Sequence, residues 1–252
     1  MNLQSITRPH DFINVSADFI LKIIREKKTR INIALSGGTT PQEIYESLAK
    51  KLSFMPFANP LHFYQVDERY VPSTNKDSNQ KMITESFAPL TNSSAASNVH
   101  FHFFDTSLPI EKSLAKYSKE LPKTFDLMIL GIGPDGHTAS LFPNSKELTS
   151  KKTVVHSIMR AQGASTQQDE RTGSASRETQ RALPIKPFAI PNRLTLTFGP
   201  ILKSKNLLVL LKNKPEILAK LQNTKKTDLK SFTNFPALKL LTHKNLSIRS
   251  TP

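Results

Sequence analysis

Short apolar runs alternate along this chain with segments in which apolar residues recur at helical spacing. Six runs end at or near a turn signal: "INIAL", "LHFYQV", "FDLMIL", "TVVHSI", "RLTLTF" and "NLLVLL". Helical spacing appears in two sets: Ile44, Leu48 and Leu52, and then Ile110, Leu114, Tyr117 and Leu121. Alternation of this kind is typical of βαβ units. The pattern predicts an α/β fold with a doubly wound, mostly parallel sheet flanked by helices.

A first helix is predicted from Asp11 to about Lys27. The residues expected to face the core are Phe12, Phe19, Ile20, Ile23 and Ile24. The sequence contains no internal repeat and no recognisable linker, so we expect a single domain over residues 1–252.

The segment 160–182 breaks the pattern because it contains no apolar residue larger than alanine. Such a stretch cannot bury enough surface to offset the entropy lost on ordering. We predict a mobile surface insertion here, and a lid over a functional site is the alternative.

Composition excludes several kinds of chemistry. The chain has no cysteine, which rules out disulfides, thiolate nucleophiles and iron–sulfur clusters and favours a reducing compartment, the cytoplasm. Its first twenty residues lack the apolar core of a secretory signal, and no run approaches the roughly 18 apolar residues of a membrane span. We therefore expect a soluble, unprocessed protein without membrane contacts.

The formal charge is +15, and residues 201–252 alone carry eleven Lys and Arg against two acidic residues. A strong positive charge permits nucleic-acid binding. However, no aromatic residues interleave with the lysines to stack on bases. We interpret the charge as a solvated surface that also attracts a small anionic substrate, and we predict no nucleic-acid partner.

The stretch "SGGTTPQEIYESL" joins a predicted strand to a helix. Thr40, Pro41 and Glu43 match the start of a helix, with Thr40 as the N-cap and Glu43 completing a capping box. The backbone N–H groups of Gly37, Gly38 and Thr39 would then form an anion site. The alternative is that the two glycines only make a tight turn.

Two further polar segments follow predicted strands and should reach the same edge of the sheet. "DERYVPSTNKDSN" places Asp67, Glu68 and Arg69 at a strand end, although these three could instead form a solvated turn with a local salt bridge. "GIGPDGHTASLFPN" places Asp135 and His137 just beyond another strand. No second histidine stands at metal-ligand spacing and no Gly-x-Ser-x-Gly occurs, so we predict neither a metal site nor a serine nucleophile.

These motifs together resemble the 6-phosphogluconolactonase family, the lactone hydrolases of the oxidative pentose phosphate pathway. The matching stretches are "SGGTTPQEIYESL", "DERYVPSTNKDSN", "FDLMILGIGPDGHTASLFPN" and "NRLTLTFGPIL", in the family's order. The resemblance implies a modified Rossmann-like fold, hydrolysis of 6-phospho-D-glucono-1,5-lactone to 6-phospho-D-gluconate, no cofactor, and a monomer or weak dimer.

The resemblance also implies roles for the residues near His137. His137 would act as general base and then as general acid, because an imidazole can exchange protons near neutral pH. Asp135 would orient its ring or cap the turn. Arg69 would stabilise the oxyanion that develops at C1, or pair with Asp67 or Glu68.

The resemblance assigns the remaining site residues to the substrate. Arg193 and Lys186 would bind its phosphate together with the loop at residues 37–39. Asp67 is expected to contact the substrate, and Asn79 would hold sugar hydroxyls or brace the loop.

The related glucosamine-6-phosphate deaminases share the fold and a similar Gly-x-Gly-x-Asp-Gly-His turn. Their turn continues with a segment that supplies a glutamate, whereas His137 is followed by "TASLFPN", which has no carboxylate. Asn144 stands where the family often has glycine, and asparagine is well suited to a positive φ. A deaminase or a sugar-phosphate binder without catalytic activity remains the alternative.

Overall fold

The computed structural model describes residues 2–55, 59–159, 190–224 and 231–251. A seven-stranded sheet in which every neighbouring pair is parallel forms the centre, in the order β1-β10-β9-β6-β2-β3-β5. Its strands are β1 (Asn2–Ser5), β2 (Ile31–Leu35), β3 (Leu61–Gln65), β5 (Val99–His102), β6 (Leu127–Gly131), β9 (Leu207–Leu211) and β10 (Leu246–Ser250). The predicted mostly parallel sheet is confirmed.

The other three strands form a separate antiparallel sheet, in the order β4-β8-β7. They are β4 (Asp67–Arg69), β7 (Val154–Ile158) and β8 (Asn192–Leu196). The runs "TVVHSI" and "RLTLTF" therefore form strands as predicted, but they lie outside the parallel sheet. Val66 alone separates β3 from β4, and its carbonyl accepts a 2.9 Å hydrogen bond from Leu196 N, which anchors the small sheet at the end of β3.

Seven α-helices accompany the strands in the described ranges. They are α1 (Pro9–Glu26), α2 (Thr39–Ser53), α3 (Asn79–Ser86), α4 (Ala88–Thr91), α5 (Ile110–Glu120), α6 (Phe198–Lys203) and α7 (Pro215–Asn223). The predicted first helix corresponds to α1, which buries Phe12, Ile20 and Ile24 and leaves Phe19 and Ile23 partly buried.

Apolar layers cover both faces of the large sheet, as the prediction of a doubly wound fold requires. On one face, Ile33, Leu35 and Ile129 pack with the buried residues of α1 and α2. On the other, Met128 and Leu130 pack with residues of α5, α6 and α7. A strand covered on both sides must be apolar throughout, which explains runs such as "NLLVLL".

The start of α2 differs from its prediction. The helix begins at Thr39, and the N-cap is Gly38, whose φ of 105° suits glycine and whose lack of a side chain leaves no cap hydrogen bond. Glu43 points elsewhere and pairs with Lys212 at 2.6 Å. The predicted Thr40 cap and its capping box are therefore wrong, because the glycine turn starts the helix one residue before Thr40.

Two other predictions concern loops. Asn144 has a φ of 57°, which confirms that it takes the conformation expected of it. The proposed insertion at 160–182 lies outside the described residues. None of the helices in the described ranges is long and apolar enough to cross a membrane.

Candidate active site

Three loops meet at one edge of the parallel sheet because the strands before them are neighbours. Leu35 at the end of β2 lies opposite Gln65 of β3 on one side and Ile129 of β6 on the other. After β2 the chain adds β3 and β5 on one side and then β6, β9 and β10 on the other. Ligands of open α/β sheets bind at such a switch point. The predicted convergence of the three polar segments is confirmed.

The turn after β6 places Asp135 and His137 in contact. Nδ1 of His137 lies 2.5 Å from Oδ1 of Asp135, and the same oxygen accepts the His137 backbone N–H at 3.1 Å. Burial opposes ionisation of Asp135, but hydrogen bonds from His137 outweigh it and lower the pKa of this carboxyl. An ionised Asp135 accepts the Nδ1 proton, which leaves the lone pair of the neutral ring on Nε2.

The other ring nitrogen is available to a substrate. Nε2 of His137 has no hydrogen-bond partner among the residues that the structure describes, and about a quarter of this side chain (26%) is accessible to solvent. The Phe142 ring packs against the imidazole with the two centroids 5.1 Å apart. The ring is therefore held by the Asp135 carboxylate and by an aromatic neighbour, with its basic nitrogen open.

Two glycines make this arrangement possible. A Cβ at Gly133 would lie 2.1 Å from Cε1 of His137, so only a glycine lets the ring pack against the turn. Gly136 has a φ of 82°, and a Cβ there would lie 2.3 Å from the Phe235 ring. Gly131, in contrast, has open space around its missing Cβ. The turn depends on Gly133 and Gly136 for its shape.

Asp67 connects this turn to the end of β3. Its Oδ2 accepts a 2.6 Å hydrogen bond from the Ser140 hydroxyl, and the Ser140 backbone N–H donates to Oγ1 of Thr195 in β8 at 3.1 Å. Both Asp67 and Ser140 are buried. The Asp67 carboxylate thus holds the loop that follows His137.

Glu68 is the centre of a buried network and belongs to no solvated turn. Its carboxylate accepts from Gln65 Nε2, from the Ser78 hydroxyl and from three backbone N–H groups, at 2.7 to 3.0 Å. The side chain is 1% exposed, and burial raises the pKa of its carboxyl despite these donors. The alternative of a solvated turn with a local salt bridge is wrong: Glu68 holds the loop from 69 to 80 in place.

Asn79 acts in the same bracing network. Its Nδ2 donates to the Asp67 backbone carbonyl at 2.8 Å, and the residue is 2% exposed. Its side chain also packs so closely on Gly37 that a Cβ there would lie 1.9 Å from Oδ1. Of the two roles considered for Asn79, these contacts favour bracing: it joins the β4 loop to the glycine loop after β2.

Arg69 and Arg193 lie opposite each other on β4 and β8. Arg69 Nη1 donates to the Asp77 carbonyl at 2.6 Å, and Arg193 Nη1 donates to the Ile190 carbonyl. Neither guanidinium pairs with a carboxylate in the described part of the chain. Burial, reinforced by the positive charge of Arg69, lowers the pKa of Arg193. Two neighbouring guanidinium groups, neither of them paired with a carboxylate among the described residues, make this edge an attractive position for an anion.

Three further polar side chains at the same edge were not predicted from the sequence as site residues. Ser36 is 5% exposed, and its hydroxyl has no partner among the described residues. The Lys214 ammonium donates to the Ile132 carbonyl in the turn after β6, and burial lowers its pKa. Lys212 pairs with Glu43 of α2 at 2.6 Å. The two lysines follow β9, and no motif indicated that this strand ends beside β6.

The remaining predicted residues are placed as follows. Gly37 and Gly38 lie in the loop between β2 and α2, and Thr39, which is exposed, is the first residue of α2. Lys186 lies outside the described residues. Within those ranges, no three His, Asp or Glu side chains form a group that could hold a metal ion.

The chain is similar in sequence to proteins of a known family. Residues 8–172 match the family model described as glucosamine-6-phosphate isomerases/6-phosphogluconolactonase. A 6-phosphogluconolactonase of Thermotoga maritima is 42% identical over 135 residues, and the alignment covers 50% of this chain and 59% of that relative. The chain therefore aligns with about three fifths of the length of this relative.

Two solved structures extend the likeness over the whole chain. The 6-phosphogluconolactonase of Thermotoga maritima superposes with a TM-score of 0.72 and 28% identity, covering 99% of this chain and 98% of the other. A monomeric glucosamine-6-phosphate deaminase superposes with a TM-score of 0.75 and 20% identity, covering 100% of this chain and 97% of the other. The latter likeness concerns the fold alone, so the backbone does not by itself separate the two chemistries.

Proposed function

The chain belongs to the family of glucosamine-6-phosphate isomerases and 6-phosphogluconolactonases, and we propose that it hydrolyses 6-phospho-D-glucono-1,5-lactone to 6-phospho-D-gluconate. The observation that carries this proposal is the Asp135–His137 pair, in which Oδ1 of the carboxylate lies 2.5 Å from Nδ1 and Nε2 has no partner among the described residues. A base of this kind activates water directly, which is the requirement of an ester hydrolase.

Lactone hydrolysis needs two proton transfers that one imidazole can perform. In the proposed reaction, Nε2 of His137 takes a proton from water while the water oxygen attacks C1, giving a tetrahedral intermediate with a negative oxygen. The C1–O5 bond then breaks as the imidazolium returns its proton to O5, and the product is the open-chain acid. Asp135 stabilises the imidazolium between the two steps and keeps the ring oriented.

Arg69 is the proposed electrostatic partner of the developing oxyanion. Its guanidinium lies on β4 at the rim of the site and pairs with no carboxylate among the described residues. A fixed donor aimed at developing charge contributes several kcal/mol to such reactions, on the order of 3 kcal/mol for one donor.

The substrate phosphate is assigned to the positively charged edge beside the start of α2. Arg193 offers a planar fork, and Gly37, Gly38 and Thr39 lie at the N-terminus of the 15-residue helix α2, where backbone N–H groups favour an anion. Ser36 adds a buried hydroxyl that has no partner in the described ranges. Lys214 adds a half-buried ammonium. Lys186 is a further proposed ligand from the sequence.

The deaminase alternative requires a carboxylate that acts on the carbon skeleton of an amino sugar. Residues 138–144, which follow His137, contain no acidic residue. The Asp67 carboxylate nearby already accepts the Ser140 hydroxyl. These contacts favour the lactonase chemistry over the deaminase.

A two-substrate assay tests the proposal. Purified protein is incubated with freshly prepared 6-phosphogluconolactone, the spontaneous rate is subtracted, and ammonia release is measured with glucosamine 6-phosphate. We expect lactone turnover and no ammonia, and a loss of lactone turnover of about 10²- to 10⁴-fold in His137→Ala. His10→Ala, at an exposed position of α1, is the control. Turnover at the spontaneous rate would contradict the function, and full activity of His137→Ala would contradict the mechanism.

Several attributes of this enzyme remain predictions. These are a cytoplasmic location, a role in the oxidative pentose phosphate pathway, action without a cofactor, and a monomeric or weakly dimeric state. Size-exclusion chromatography with light scattering measures the last of these directly.

A further inference from the structure

A groove on the α1 side of the sheet carries a second polar site, lined by residues that take no part in the His137 site. Its volume is about 680 Å³, within the range of small-molecule pockets. The exposed side of α1 forms one wall, and residues of β1, the start of β9 and β10 contribute to the other. The lining residues that matter here are Val15, Phe19, Ile23, Asp126, Lys205 and Arg249.

Arg249 is the unusual residue of this groove. It projects from β10 and is 6% exposed, yet its Nε and Nη1 have no hydrogen-bond partner in the part of the chain that the structure describes. Its guanidinium carbon lies 5.1 Å from the centroid of the Phe19 ring. Burial lowers the pKa of Arg249, as expected for a cation removed from water. Burying a guanidinium without an acceptor is unfavourable, because the cation loses its hydration and gains no hydrogen bond in exchange.

The acidic residues of the groove do not neutralise the charge of Arg249, because each of them already forms an ion pair with a lysine. Asp126 pairs with Lys27 and, at 3.0 Å, with Lys205. Asp18 pairs with Lys51 on α2, and Glu26 pairs with Lys22 at 3.7 Å. The charge of Arg249 is therefore left for an anion that comes from outside these residues.

The wall opposite the strands determines what kind of anion fits. Val15, Phe19 and Ile23 lie one turn apart on α1 and present partly buried apolar side chains to the groove. The guanidinium carbon of Arg249 also lies over the Phe19 ring, so a planar apolar group bound to the guanidinium would lie beside this aromatic side chain.

From these observations we propose that the groove binds a small organic anion, a carboxylate or phosphate monoester attached to an apolar or planar body, with Arg249 as its anchor. A carboxylate and a phosphate monoester both match the guanidinium fork, and the apolar body would replace water along Val15 and Ile23. The site is separate from the proposed lactone site and does not depend on it.

A single tryptophan provides a local reporter for this groove. The chain contains no tryptophan, so Phe19→Trp places the only indole beside Arg249. Benzoate and phenyl phosphate serve as probes with a planar body, and inorganic phosphate tests whether charge alone suffices. We expect a saturable fluorescence change with one or both aromatic probes, and a dissociation constant at least about tenfold weaker for inorganic phosphate.

Variants of the reporter protein identify the anchor. Phe19→Trp with Arg249→Met should lose the response, whereas Phe19→Trp with Arg25→Met removes the same charge from an exposed position of α1 and should keep it. If Arg249→Met does not fold, Arg249→Lys replaces it, and we expect binding at least about tenfold weaker because a lysine lacks the planar fork.

The proposal is wrong if neither aromatic probe changes the fluorescence, or if the Arg249 variant responds like its parent. It is also wrong if inorganic phosphate binds as tightly as phenyl phosphate and benzoate gives no response, since the apolar wall would then have no part in recognition. Lactone turnover in the same preparations should be unchanged, which separates the groove from the His137 site.

Discussion

The Ser140 hydroxyl donates a 2.6 Å hydrogen bond to Oδ2 of Asp67, across 73 residues of sequence. Ser140 belongs to the loop after His137, and Asp67 begins the short strand that carries Arg69. The bond therefore joins the proposed base to the proposed oxyanion partner through two buried side chains. The position of His137 relative to Arg69 therefore depends on the hydrogen bond between Ser140 and Asp67.

Replacing Ser140 should weaken this connection. Ser140→Ala leaves the buried Asp67 carboxylate without its hydroxyl donor, so we expect the free energy of unfolding to fall by about 1–3 kcal/mol. Ser145→Ala is the matched control from the same loop, because the Ser145 hydroxyl has no partner among the described residues. Urea denaturation measures both. Equal stability of the two variants would show that the Asp67–Ser140 bond contributes nothing measurable.

Gly133 in the His137 turn and Gly131 at the end of β6 should respond differently to alanine. Gly133→Ala forces a Cβ to within 2.1 Å of the His137 ring, so the imidazole must move and lactone turnover should fall by about 10²-fold or more. Gly131→Ala places its Cβ where no atom lies within 4 Å, so activity should be retained. Steady-state kinetics with the lactone checks the pair, and comparable losses in both variants would argue against the packing explanation.

The two opposed arginines should affect different kinetic constants. Arg193→Met removes the proposed phosphate ligand and should mainly raise KM. Arg69→Met removes the proposed oxyanion partner and should lower kcat by about 10²-fold. Arg8→Met, at an exposed position before α1, is the control. The assignment would have to be reversed if Arg69→Met changed only KM and Arg193→Met changed only kcat.

A cluster of histidines on β3 and β5 should make stability depend on pH. Burial, together with the charge of Arg30 and the neighbouring His100 and His102, lowers the pKa of His62 from 6.5 to about 4. Between these two pH values the unfolded chain binds a proton that the folded chain does not, so stability falls as the pH drops from about 6.5 towards 4.

Urea denaturation at several pH values across this window tests the prediction. His62→Gln should flatten the dependence on pH, even if lost ring packing lowers stability at pH 7. Burial also lowers the pKa of His102, so part of the slope should remain. A slope identical to that of the wild type would show that His62 does not contribute to it.

Much of the fold could be predicted because apolar periodicity is a local signal. Each of the six predicted apolar runs forms a strand, and the residues at helical spacing, Ile44, Leu48 and Leu52, lie in α2. The strands that were not predicted are β1, β5 and β10, together with the short β4. Their polar side chains, such as His100 and Arg249, interrupt the apolar pattern because they lie at an edge of the sheet or line a groove.

The site could be predicted only in part. The histidine turn and the three convergent loops follow from where strands end, which the sequence indicates. The role of Glu68 does not, because a carboxylate between Asp67 and Arg69 resembles a surface ion pair until the backbone of residues 78–80 folds against it. Lys214 carries no local signal, and the glycine motif that begins at Ser36 indicates an anion site at its backbone but gives no information about the Ser36 hydroxyl.

The sequence by itself therefore determined the α/β class, the order of most elements and the chemistry of the turn at Asp135 and His137, since these depend on neighbours along the chain. The tertiary structure decided which charges are partnered. It made Glu68 and Asn79 braces, placed Arg69 opposite Arg193 and left Arg249 without an acceptor among the described residues. The physical reason is that burial and pairing depend on contacts between residues far apart in sequence, which no periodicity encodes.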